Sequence, residues 1–93
     1  MVLGAELKTV LQRMGDDNRL GPSHISLYLA ILQYAEENRL ESSIPVYRTE
    51  LMPRAKILAR KTFEKNVWEL HLYGYIRYVP SYSSCLRSLI VIL

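Results

Sequence analysis

The sequence predicts a mainly helical α+β domain, and three observations carry the prediction. Arg48 to Gly74 reads as helix, short break, helix. The second of these helices has Arg60, Lys61, Thr62 and Lys65 on or near its outer side and Phe63, Val67 and Leu70 on its inner side. A β-leaning segment, Tyr75 to Val79, follows Gly74, and a second, Leu86 to Leu93, closes the chain. A basic helix after a short helical support, with a hairpin behind it, is the layout of a winged helix-turn-helix.

The elements follow in order. Ala5 to Met14 reads as a helix, because Leu7, Val10, Leu11 and Met14 recur at three- and four-residue spacing. Gly15-Asp16-Asp17-Asn18 breaks it. Gly21-Pro22-Ser23 opens a second helix, with Pro suited to the first turn and Ser23 as the predicted N-cap. Its buried face is predicted as Ile25, Tyr28, Leu29, Leu32 and Ala35, widened by Leu27 and Ile31, which makes this helix central. Ile44 to Tyr47 is short and β-leaning, and Pro45 restricts it to a sheet edge. A short third helix covers Arg48 to about Lys56. Pro53 removes a backbone donor there, so this helix either starts near Pro53 or is kinked at it. Ala59 to Tyr73 is the fourth helix, and Gly74 suits the left-handed residue that ends it. Pro80 to Cys85 joins the two strands as the wing tip. The predicted core is Ile25, Tyr28, Leu29, Leu32, Leu51, Phe63, Val67, Leu70 and Ile76.

The 93 residues suit one domain, with 1–20 as N-terminal helix and linker and 21–93 as the winged-helix core. Apolar residues make up 49% and charged residues 23%, a globular rather than a disordered balance. The net charge of +3 is unevenly placed: Arg48 to Lys65 holds six bases and two acids, so the remainder is slightly acidic. Clustered positive charge attracts polyanions, whereas scattered charge mainly keeps a protein soluble. Cys85 is the only cysteine, which rules out an internal disulfide and fits a reducing compartment. With no signal peptide and no apolar run long enough to span a bilayer, the expected location is the cytoplasm.

Gly21-Pro22-Ser23-His24-Ile25-Ser26-Leu27-Tyr28-Leu29-Ala30, Arg48, Glu50-Leu51-Met52, Thr62-Phe63, Glu69-Leu70-His71, Gly74-Tyr75-Ile76, Tyr78 and Pro80-Ser81-Tyr82 carry a resemblance. Over Gly21 to Tyr82 the chain resembles the small winged helix-turn-helix proteins carried on conjugative transposons of Bacteroides-type bacteria. The resemblance implies a DNA-binding regulator of transcription, or an accessory factor in excision and transfer of a mobile element. Tyr47 stands where that pattern has a small capping residue, and Trp68 and Leu72 stand where charged residues are expected.

The predicted DNA contacts are Arg60, Lys61, Thr62 and Lys65 on the recognition helix (about 59–73). Arg can bond guanine with two hydrogen bonds, and Thr can meet a base edge or a thymine methyl. Lys61 and Lys65 suit phosphates as well as bases. Arg48, Arg54 and Lys56 are predicted to flank the groove, and Ser83 and Arg87 to contact DNA from the wing. A homodimer interface is predicted from Leu7 and Leu11 on the first helix, Trp68 and Leu72 on the fourth, and Ile90 and Ile92 in the last strand. The other reading is that the first helix folds back and buries Trp68 and Leu72 within one chain.

The rival function is a winged helix that has lost DNA binding and serves as a protein-interaction module. RNA binding through the tyrosines is a weaker option, since no stacking-sheet motif is visible. His24 and His71 lack companions at metal-ligand spacing. No phosphate loop, nucleophile elbow or catalytic carboxylate pair is present. The sequence therefore predicts no enzyme, no cofactor, no metal, no small-molecule substrate and no membrane partner.

Overall fold

The computed structural model describes residues 5–81 and 86–93. In chain order they form α1 (Ala5–Gly15), α2 (Pro22–Glu37), β1 (Ser43–Val46), α3 (Arg48–Ala55), α4 (Arg60–Leu72), β2 (Ile76–Val79) and β3 (Ser88–Ile92). Of the segment predicted as a wing tip, Tyr82, Ser83, Ser84 and Cys85 lie outside the described residues.

The three strands make one antiparallel sheet in the order β1-β3-β2. Ile90 in the central strand sits opposite Ile44 on one side and Tyr78 on the other. Side chains alternate across a strand, so Ile44, Val46, Ile76, Tyr78, Ile90 and Ile92 share the buried face. This corrects the assignment of Ile90 and Ile92 to a dimer interface: they are 1% and 6% exposed in the core of their own chain. Pro45 lies on the edge strand β1, where a missing N–H costs no ladder bond on its open side.

α2 is the axis of the core, as its apolar sequence implies, but it is turned from the predicted face. Its buried residues are His24, Leu27, Tyr28, Ala30, Ile31, Leu32, Tyr34 and Ala35. Ile25 is half-buried and Leu29 is 44% exposed. The helix is apolar nearly all round, so its own periodicity does not select a stripe; packing against α3 and α4 does. The N-cap is Gly21 rather than Ser23. The Gly21 N–H donates to His24 Nδ1 at 2.9 Å, and the His24 N–H donates to the Gly21 carbonyl at 3.1 Å. Pro22 occupies the first helical position, where its missing donor is not needed.

α3 starts at Arg48 and runs past Pro53, which lies inside the helix on its exposed side. This settles the two options for Pro53 against a late start. Tyr47 caps the helix, its N–H donating to Glu50 Oε1 at 3.0 Å. The helix ends at Lys56, which takes a left-handed conformation with φ 60°. The Ile57 N–H then donates to the Met52 carbonyl at 3.0 Å and closes the last turn.

α4 buries Phe63, Asn66, Val67 and Leu70, spaced three and four apart. Its end is closed by Gly74 at φ 86° and by the Tyr75 N–H donating to the Leu70 carbonyl at 3.0 Å. α1 returns onto its own chain: Met14 is buried, and Leu7, Val10 and Leu11 pack half-buried against the core. The first-helix stripe thus finds most of its cover within one chain.

Candidate nucleic-acid interface

The site rests on how α3 and α4 are seated. α3 is held on α2 by buried Leu51 and Ala55, and the Ser26 hydroxyl donates to the Ala55 carbonyl. Ile57 enters the core and pins the turn between the two helices. Phe63, Val67 and Leu70 seat α4. With its inner side fixed, α4 turns Arg60, Lys61, Thr62 and Lys65 outward, and the turn adds Lys56 and Leu58.

These cations differ from Arg48, Arg54 and Arg87 in their partners. Among the described residues, Lys56, Arg60 and Lys61 form no ion pair and no hydrogen bond through their side chains. Lys65 lies close enough to Glu69 to help hold its carboxyl below the ordinary glutamate range, behind the larger effect of the His24 hydrogen bond. Arg54, by contrast, pairs with Glu37 Oε2 at 2.6 Å and lies over the Tyr34 ring. Arg87 lies over the Tyr47 ring at 4.8 Å and approaches Glu50 Oε1 at 3.8 Å. Arg48 is half-buried, with its guanidinium 3.4 Å from the Met52 sulfur. The structure thus leaves Lys56, Arg60, Lys61, Thr62 and Lys65 all exposed, with Lys61 and Lys65 on the outer side of α4 and Arg60 and Thr62 flanking it. Arg48, Arg54 and Arg87 are drawn toward the body of the chain, and Ser83 lies outside the described residues.

Further along α4 the outer side changes character. Trp68 is 40% exposed and Leu72 is 76% exposed. Trp68 does not project freely: its ring meets Tyr78 and His71 edge to face, with centroids 5.0 and 5.4 Å apart. His71 Nδ1 also accepts from the Tyr78 N–H at 3.0 Å, tying the end of α4 to β2.

A polar seam fixes α4 from behind. Buried His24 meets Glu69 at 2.9 Å through Nε2, and the Tyr73 hydroxyl donates to the other Glu69 oxygen at 3.3 Å. The Arg19 guanidinium stacks on Tyr73 and bonds Asp17 through two nitrogens, at 2.8 and 2.7 Å. Asp17 also accepts from the Tyr75 hydroxyl at 2.8 Å. The Arg19 guanidinium, with help from Tyr75, holds the Asp17 carboxyl well below the usual carboxylate range. His24 and Glu69 stand 45 positions apart in the chain, so no local pattern announces the pair.

The seam has a pH consequence. Asp17 and Glu69 both have lowered pKa values in the folded chain. The unfolded chain therefore binds protons first as the solution is acidified, and acid favours unfolding. The contribution of these carboxylates is complete above the unfolded range, near about pH 4. It is lost as pH falls through the lower folded values. Thermal melts should be flat in this contribution from pH 7 to about 5 and decline below about 4. Asp17→Asn should reduce that acid dependence; a variant with the wild-type profile contradicts the assignment to Asp17.

Comparison with protein-family models, curated proteins and solved structures returns no match for this chain. Among the described residues, no group of three or more His, Cys, Asp and Glu side chains could hold a metal ion. No helix among them is long and apolar enough to cross a membrane.

Proposed function

We propose that this chain is a winged helix-turn-helix protein that binds double-stranded DNA, with α4 as recognition helix and β2–β3 as the wing. The observation that carries the reading is the set of unpaired cations, Lys56, Arg60 and Lys61, on the turn and first half of α4, with Lys65 one turn further on. All are exposed, while Arg54 and Arg87 pair with Glu37 and Glu50. The helix order, the left-handed stop at Lys56 and the three-stranded sheet behind α4 support the same reading. An α-helix fits the major groove, and lysines on its outer side meet phosphates at the groove edge. Arg48, Arg54 and Arg87 then act chiefly by holding the scaffold. By its sequence resemblance, the protein belongs with regulators of transcription or accessory factors of mobile elements.

A second reading rests on the exposed Trp68 and Leu72, which offer a contact to a protein partner beside the basic surface. The partner we propose first is a second copy of the chain, with half-buried Leu7 and Leu11 as further candidates and Ile90 and Ile92 excluded by burial. A dimer places two recognition helices on one duplex.

The test is binding to random duplex DNA at two salt concentrations, with light scattering for the mass of the free protein. Micromolar binding that weakens steeply with salt supports the DNA reading, and a mass of two chains supports the dimer. Absence of binding at low salt removes the DNA reading and leaves the interaction module.

A further inference from the structure

Leu58 is 95% exposed, more than any other large apolar side chain among the described residues. It lies between Ile57, which is buried, and Ala59, the N-cap of α4. An apolar residue just before an N-cap commonly packs on the residue four places into the helix. Here that residue is Phe63, already buried in the core, and Leu58 does not cover it. Ile57 anchors the turn instead. The exposure of Leu58 therefore serves no packing contact within the chain.

Its surroundings say what could cover it. Lys56, Arg60 and Lys61 lie within three positions of it in sequence, all exposed and none paired with an acid among the described residues. An apolar side chain flanked in the chain by free cations is poorly matched to an apolar protein patch, because docking there strips water from the charges. It is matched to a polyanion that carries an apolar group. In the major groove that group is the thymine C5-methyl.

We propose that Leu58 packs on thymine methyl groups in the major groove and gives the protein a preference for A·T pairs beside the start of α4. The inference rests on the DNA-binding reading. It adds a base-reading residue that carries no hydrogen bond and that a search for polar contacts passes over. Lys56, Arg60 and Lys61 hold the backbone while Leu58 samples the base edge.

The experiment uses one pool of A·T-rich duplexes, synthesised either with thymine or with uracil, which lacks only the methyl. The wild-type protein should bind the thymine pool about fourfold more tightly, the effect of burying roughly one methyl group. Leu58→Ala should bind the two pools equally, with a melting temperature showing that it is folded. Leu29→Ala, which trims an exposed leucine on α2, should keep the preference. Salt-sensitive binding of the wild type to both pools with equal affinity overturns the inference and leaves the DNA reading standing. Retention of the preference by Leu58→Ala does the same. Failure of the wild type to bind either pool removes both.

Discussion

Replacing Phe63 by alanine should lower the stability of the folded chain by about 3–5 kcal/mol. Phe63 is 2% exposed and lies in the first turns of α4, where it joins Val67 and Leu70 on the buried side. Removing the ring deletes its transfer free energy and leaves a cavity between elements that are fixed from several directions. A domain of this size typically has about 5–15 kcal/mol in all, so the variant should sit near the edge of folding at 37 °C. Chemical denaturation checks it: the midpoint should fall with little change in slope. A loss below about 1 kcal/mol contradicts the placement of Phe63 in the core. DNA binding should weaken in this variant only in proportion to the unfolded fraction.

Removing Lys61 and Lys65 together should have the opposite signature. Both side chains are exposed, and substitutions at such sites usually change stability by about 0.5 kcal/mol or less. Affinity for duplex DNA, however, should fall by one to two orders of magnitude at about 0.1 M salt, if each lysine neutralises one phosphate. The slope of log affinity against log salt should become shallower by about two. Arg54→Ala is the contrast. Its guanidinium is already engaged by Glu37 and Tyr34, so its loss should reach the fold before it reaches DNA. Equal affinity in wild type and the double-lysine variant contradicts the role given to α4.

The helices were legible because their signals are local. α1 and α4 follow apolar spacing, and Gly74 ends α4 at φ 86° where the sequence places a stop. Lys61 and Lys65 follow from the helical wheel once Phe63, Val67 and Leu70 point inward. The face of α2 was less legible, since Ile25 and Leu29 look as core-like as Leu27 and Ile31. Packing against α3 and α4 decides, and it takes in His24, an unpromising core residue by type that becomes acceptable when Glu69 satisfies it. The partner of β1 was also hidden. Ile44 pairs with Ile90, 46 positions away, and that contact covers the apolar tail read from sequence as an intermolecular surface. Arg54 and Arg87 illustrate the same limit within the site. Their charges count toward a basic segment in the sequence, but Glu37 and Glu50 are brought to them only by folding. Leu58 had a faint signal: of the adjacent Ile57 and Leu58 in a short turn, the core takes only one.

The most direct test of the central claim is to titrate the isotope-labelled protein with a short duplex and follow its backbone amide signals. The largest shifts should fall on residues 56–65, the turn and the first half of α4. Shifts confined to the region around Trp68 and Leu72, to the acidic end of α2 at Glu36 and Glu37, or to no region at all would contradict it.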